Sequence, residues 1–100
     1  MVEQEPRRWD VTIASGASDP IILDNLPGVQ TVMLAPVVTG TGKVQTTLSP
    51  VSDVLGGTAD WIDWLAGTVS EATMDELRGV TAVRAVWASG QVRMVVRVGQ

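Results

Sequence analysis

The sequence predicts an all-β fold, an antiparallel β-sandwich or small barrel of about seven short strands with one or two short helical turns. Three observations predict this class. Val and Thr are abundant whereas Lys and Glu are few, a balance that favours strands. Runs that alternate apolar and polar residues recur, with turn residues about every eight to twelve positions. The 100 residues are 45% hydrophobic and lack Cys, so one core must form without disulfides.

The C-terminal segment 81–98 is predicted to form a β-hairpin with its turn at 89–90. In the predicted register Trp87 faces Val92, and both share one face with Met94 and most of the valines. A slip of one residue would scatter this apolar set, so we expect the face to be core. The opposite face then carries Arg84, Val86, Arg93, Val95 and Arg97.

The rest of the chain is predicted in order. Segments 9–14 and 21–23 are expected to be strands. A second hairpin joins the strands 29–39 and 43–48 through a turn at 40–42. Pro36 has no backbone N–H, so its strand should lie at an edge or carry a bulge there.

The segments between the two hairpins are harder to assign. We predict a loop with a short helical turn over 49–57, because Ser-Pro begins it and Gly-Gly ends it. A strand is predicted over 58–69, and one helical turn over 70–79. Residues 1–8 are predicted to be a flexible N-terminal arm, and residues 9–100 a single β-sandwich domain.

Charge is unevenly distributed along the chain. Residues 1–76 hold eleven acids and three bases, a balance of −8, whereas residues 77–100 hold four arginines and no acid. Such asymmetry can steer association with a partner or with another copy, although arginines on a strand also protect against aggregation. The overall charge of −4 with a single Lys disfavours nucleic-acid binding.

Several functions are disfavoured by composition. His and Cys are absent, which removes the usual general base and the commonest soft metal ligands. Asp53, Asp60 and Asp63 match no calcium-loop pattern, and solvated acids are the simpler interpretation. We therefore expect no catalytic residue, no cofactor, no metal and no small-molecule substrate. No signal peptide or membrane-spanning run is apparent, so synthesis in the cytoplasm of the producing cell, and no membrane partner, are expected.

The four tryptophans are the main candidates for binding, because the chain has no Phe or Tyr. Trp61 and Trp64 are three residues apart. Strand alternation would place their rings on opposite faces, whereas helical spacing would place them together. They suit either a carbohydrate-stacking platform or core and interface anchors.

One part of the sequence resembles a known group. Trp61-x-x-Trp64-x-x-Gly67, followed by GVTAVR at 79–84 and by Ser89-Gly90 before a valine-rich strand, is similar to small virion-associated structural proteins of tailed bacteriophages. The resemblance covers about 49–98 and has moderately specific motifs. The group implies a non-enzymatic role as a capsid decoration (cement) or minor capsid protein.

From this resemblance we expect a protein of the phage head that binds the major capsid protein and copies of itself, and thereby stabilises the shell. The alternative is a carbohydrate- or receptor-binding β-sandwich, as a tail-side component, that uses Trp61 and Trp64. A small enzyme domain that uses the carboxylates is the least favoured. The predicted partner interface comprises Trp9, Trp61, Trp64, Arg84, Val86, Arg93, Val95 and Arg97.

Overall fold

Two long antiparallel strands form the frame of the protein. In the computed structural model, which describes residues 2–5, 8–24, 29–64 and 67–98, they pair from Gln30 opposite Val98 to Thr47 opposite Ala82. The described elements, in chain order, are β1 (Val2–Glu5), β2 (Arg8–Ile13), β3 (Ile21–Ile22), the long strand β4 (Gln30–Thr47), α1 (Val51–Gly56), β5 (Ile62–Asp63), β6 (Thr73–Leu77) and the long strand β7 (Ala82–Val98).

The shorter strands flank the β4–β7 pair on both sides and divide it into two halves. Along one half the strand order is β1-β2-β7-β4-β6, which we call the first half-sheet. Along the other half it is β3-β7-β4-β5, which we call the second half-sheet. Every pairing is antiparallel and all seven strands belong to one sheet. The predicted all-β antiparallel class, with a short helix, is confirmed.

The two halves meet where the pairing of β4 with β7 is irregular. The register shifts between Pro36 and Gly40 and again between Thr41 and Gly42. Gly40 lies opposite Gly90, and the backbones approach so closely that a Cβ on Gly90 would lie 2.3 Å from the Thr39 carbonyl oxygen. Gly90 also has φ +63°, which disfavours any side chain. Pro36 was predicted to lie at a sheet edge or at a bulge, and the register shift that begins after it agrees with the second of these alternatives.

One hydrophobic core fills the space between the inner faces of the two half-sheets. Val32, Met94 and Val96 come from the first half-sheet, and Val44 and Ala85 from the second, yet all belong to one buried cluster. The sheet must therefore bend where Gly40 pairs with Gly90, so that the inner faces of the two half-sheets meet. Burial of this cluster supplies the main driving force for folding.

Both predicted hairpin turns are wrong, since 40–42 and 89–90 lie inside continuous strands. Each half of β7 pairs with β4, so Trp87 lies opposite Gly42 and Val92 opposite Pro36, not opposite each other. Glycine was interpreted as a chain reversal, but here it permits a close approach of two paired backbones. Pairing between residues distant in sequence leaves no local signal, so alternation could not reveal it.

The assignment of faces nevertheless holds. Val92, Met94 and Val96 are fully buried, whereas Arg93 and Arg97 are exposed. Trp87 and Arg84 are half-buried. The register shift between Thr41 and Gly42 leaves Ala88 as an extra residue in β7. The positions that face the core are therefore offset by one residue between the two halves of β7.

The remaining elements agree only in part with the prediction. α1 lies within the loop where a helical turn was expected. The predicted helical turn at 70–79 is wrong, because Thr73–Leu77 forms β6 against β4. Of the strand predicted over 58–69, the described residues contain β5 and an isolated bridge from Gly42 to Val69, and residues 65–66 lie outside the described residues. The predicted arm contains β1, which pairs with β2, so backbone hydrogen bonds join it to the sheet.

Candidate interaction surfaces

The eight predicted interface residues lie on three different surfaces. Trp9 and Trp64 are on the inner side of the sheet, half-buried and packed against the core. The other six face outward but are divided between the two half-sheets. Arg93, Val95 and Arg97 lie on the outer face of the first half-sheet, and Trp61, Arg84 and Val86 on that of the second.

The outer face of the first half-sheet has an apolar centre. Val95, Met33 and Met74 form a row across β7, β4 and β6, because Met33 lies opposite both of the others. Met33 and Val95 are half-buried, whereas Met74 is 69% exposed. An open depression of about 440 Å³ lies over this row.

A second row, which carries charged side chains, crosses the same three strands two residues away along each strand. Arg97 on β7 and Glu76 on β6 lie on either side of Thr31 on β4. Both charged residues are exposed, and neither side chain has a hydrogen bond or ion pair with another described residue. We call the six residues of these two rows the methionine face: Thr31, Met33, Met74, Glu76, Val95 and Arg97.

A cluster of charges on β2 and β7 borders the methionine face. The carboxylate of Asp10 accepts hydrogen bonds from both Arg93 and Arg8, with Arg93 Nε 2.8 Å from Oδ1 and Arg8 Nη2 3.1 Å from Oδ2. Arg93 Nη2 also donates to Oδ2, so its contact is bidentate. The hydrogen bond from Arg93 is the largest cause of the lowered pKa of the Asp10 carboxyl, and burial of the carboxyl opposes it. The positive charges of both arginines and the hydrogen bond from Arg8 lower this pKa further. The cluster holds two arginine side chains in place beside the apolar row.

The outer face of the second half-sheet is organised around Arg84. Its guanidinium lies 4.4 Å from the centroid of the Trp61 ring, within cation–π range. Arg84 Nε and Nη2 donate to Gln45 Oε1 at 2.9 and 2.7 Å. Gln45 Nε2 in turn donates to Asp63 Oδ1 at 3.0 Å, and Lys43 Nζ lies 3.1 Å from Asp63.

These contacts join five side chains into one network, and Val86 lies opposite Lys43 beside it. Burial lowers the pKa of Arg84, which nevertheless stays protonated at neutral pH. Hydrogen bonds from Gln45, and then from Lys43, lower the pKa of Asp63. We call this surface the tryptophan–arginine face: Lys43, Gln45, Trp61, Asp63, Arg84 and Val86.

The two adjacent tryptophans do not form a shared platform. Trp61 lies on the outer side beneath Arg84, whereas Trp64 lines a small cavity on the inner side with Leu34, Val44 and Val69. This is the separation that strand alternation predicts. A ligand stacking on Trp61 would have to share the ring with Arg84 or displace it.

The acidic residues considered as metal ligands do not converge. Asp63 is engaged by Gln45 and Lys43, and the backbone carbonyl of Asp60 accepts a hydrogen bond from Thr47 Oγ1. Among the residues that the structure describes, no group of three or more acidic side chains is arranged to hold a metal ion.

Sequence reasoning missed Met33, Met74 and Glu76. Met33 lies in the longest apolar run, 29–39, where apolar residues follow one another and the exposed side of the strand is not apparent. Met74 and Glu76 lie in the segment interpreted as a helical turn. The alternation of Thr73, Asp75 and Leu77 with these two was a signal for a strand, but its high charge obscured it.

Comparisons with known proteins identify no relative. No family model, no curated protein and no solved structure matches the chain. Within the described ranges, no helix is long and apolar enough to cross a membrane. The fold and surfaces thus describe a small antiparallel β protein with two separate outer faces, each combining arginine with apolar side chains.

Proposed function

We propose that the protein is a non-enzymatic structural component of a phage virion. It would decorate the capsid shell as an oligomer and stabilise the shell by binding the major capsid protein. The residue pattern of 49–98, which resembles small virion-associated phage proteins, supports this proposal, although the hairpin expected there is a single strand. The comparisons with known proteins contribute nothing to it.

The observation that carries the proposal is the presence of two distinct outer faces. A decoration protein needs one surface for the shell and another for its own copies. The methionine face and the tryptophan–arginine face lie on different half-sheets of one folded sheet. Both could be engaged at once, which is the geometric requirement for multivalent attachment.

Multivalency explains how modest contacts would suffice. A single exposed ion pair contributes roughly 0–1 kcal/mol and is screened by salt. Apolar side chains such as Val86 and Trp61 would therefore supply most of the affinity for the shell, whereas Arg84 would direct orientation and association rate. Many copies on a repeating lattice would sum these contributions.

The tryptophan–arginine face is the proposed shell-binding surface. Arg84→Glu should slow attachment to capsid shells and increase its sensitivity to salt, because Arg84 is the arginine of this face. Arg78→Glu is the charge-matched control, since Arg78 is exposed outside both faces. Circular dichroism should show both variants folded. Equal attachment by the two variants would contradict this assignment.

Electron microscopy of purified virions would test the function directly. The expected result is extra density at regular positions on the outer shell, lost when the gene is deleted and restored by adding the protein. Virions that lack the protein by mass spectrometry would contradict the proposal. Saturable binding on a glycan array that depends on Trp61 would instead favour the carbohydrate-binding module.

A further inference from the structure

We propose that the methionine face joins two copies of this chain in a two-fold symmetric dimer, with the axis parallel to β4. The inference rests on the self-association that the proposed function includes, and it assigns that role to particular residues. It concerns the surface of one sheet face, whereas attachment to the shell is assigned to the other half-sheet.

The apolar row is suited to burial against a sheet. Met33 is at the centre, with Val95 on one side and Met74 on the other. Met74 is 69% exposed although it extends an apolar row, which is costly in water. Methionine side chains adapt their shape, so those of two copies can fill the open depression of about 440 Å³ that lies over this row.

The charged residues of the neighbouring row indicate which partner would cover the apolar row. Arg97 and Glu76 lie one strand to either side of β4, so they are equidistant from it. Rotation by 180° about an axis along β4 exchanges the two sides. Arg97 of one copy then meets Glu76 of the other, and the reverse pair forms as well.

The same rotation matches the apolar row with itself. Val95 meets Met74 of the second copy, and Met33 meets Met33 on the axis. A surface whose opposite charges are related by its own two-fold axis is self-complementary, as an isologous interface requires. This self-complementarity is why the occupant is a second copy rather than another protein.

Charge also selects between the two possible axes in the plane of the face. An axis perpendicular to β4 through Met33 would superimpose β7 on β7. Arg97 would then meet Arg93 of the second copy, because these two flank Val95 along the strand. Like charges in contact oppose association, so the axis along β4 is favoured.

Cross-linking through single cysteines tests the position of the axis. The chain has no Cys, so Met33→Cys introduces the only thiol. A bis-maleimide that spans the ~10 Å between face-packed sheets should join two Met33→Cys chains at the axis. Ser52→Cys, exposed on α1, is the control and should yield little cross-linked dimer. Equal yields from both variants, or no cross-linked Met33→Cys dimer, would overturn the proposal.

Charge reversal tests the orientation. In sedimentation velocity the unmodified chain should form a dimer. Arg97→Glu and Glu76→Arg should each raise its dissociation constant roughly tenfold or more, because like charges then meet twice per dimer. The double variant Arg97→Glu/Glu76→Arg should restore association, since the swapped pair regains opposite charges. A double variant as weak as either single one would overturn the arrangement.

These measurements separate the dimer from the proposed function. Arg84→Glu should leave the dimer unchanged while weakening shell attachment. A dimer that forms as described without binding to any shell would refute only the shell-binding role. A monomer at every concentration tested would refute the dimer, whether or not the protein binds shells.

Discussion

Gly40 and Gly90 allow the backbones of the two long strands to approach closely where their register shifts. A side chain at Gly90 would require φ +63° and would lie 2.3 Å from a backbone oxygen. At Gly40 the Cβ would lie 2.5 Å from the carbonyl oxygen of Gln91. Backbone cannot move aside as a flexible side chain can, so both positions must lack one.

Gly90→Ala should therefore lower the free energy of unfolding by about 2 kcal/mol or more. Gly56→Ala is the matched control, because a Cβ at Gly56 would meet nothing within 4 Å. It should be neutral or stabilising by up to about 1 kcal/mol. Urea denaturation measures both, and an unaffected Gly90→Ala variant would contradict the close approach of the two backbones.

Met94 and Met74 provide a second matched pair. Met94 is 0% exposed at the centre of the core, whereas Met74 is largely exposed on the methionine face. Met94→Ala should cost about 2–5 kcal/mol through lost burial and a residual cavity. Met74→Ala should change the stability of the monomer by no more than about 0.5 kcal/mol. Thermal or urea unfolding at low protein concentration distinguishes them, and similar losses would mean that the face assignment is wrong.

Asp10 should make stability depend on pH. Its folded-state pKa is lowered below the ordinary value of 3.8, chiefly by Arg93. The stabilisation is therefore fully present at neutral pH and is lost as the pH falls below about 4 through the folded-state pKa. Asp10→Asn should be less stable than the unmodified chain at pH 7, and the difference should shrink at pH 3. Urea denaturation at both values measures this, and a constant difference would contradict it.

Among the elements, β1 differs most from what the sequence predicted. Its four residues pair with β2 from Val2 opposite Val11 to Glu5 opposite Arg8. The composition of this segment, polar and with a proline after it, predicted an arm apart from the domain. A polar edge strand has the same composition, because only its backbone needs to pair.

Deleting residues 1–5 should lower the melting temperature by about 5 °C, equivalent to about 1 kcal/mol for a domain of this size. Self-association should persist, since β2 and β7 separate β1 from β4. Differential scanning calorimetry and sedimentation of the truncated chain measure both effects. An unchanged melting temperature would show that β1 contributes nothing to the domain.

For the whole molecule, the charge asymmetry of the sequence does not become a positively charged side of the fold. Arg84 lies on one half-sheet, and Arg93 and Arg97 on the other, because β7 spans both. Arg93 is matched by Asp10, and Arg84 stacks on Trp61. Arg84 and Arg93 are therefore engaged in separate contacts on different half-sheets, and association should depend on each face individually.

Removal of metal ions should leave the whole molecule unchanged. The carboxylate of Asp63 is hydrogen-bonded to Gln45 and Lys43, and the described residues contain no group of three or more acidic side chains placed to hold a metal ion. The melting temperature with EDTA should equal that without it within experimental error. A large decrease would reveal an oxygen-ligand site, and Asp53, Asp60 and Asp63 would be the first residues to substitute.

The all-β class, the short helix and the inward face of β7 follow from local sequence alone. Alternation assigns Val92, Met94 and Val96 to the core whether β7 is a hairpin or one strand, since it depends only on neighbouring residues. The prediction at Pro36 is similarly local, because a missing N–H favours either an edge or a bulge, and the register shift after Pro36 agrees with the bulge.

The partner of each strand depended on the tertiary structure. The same glycines suit a turn and a close approach of two paired backbones, and only the pairing of β4 with β7 distinguishes these. The methionine face arises from that pairing, because it brings Met33 between Val95 and Met74, residues far apart in sequence. Local patterns specify which side of a strand is buried, but contacts between distant segments specify which side chains share a surface.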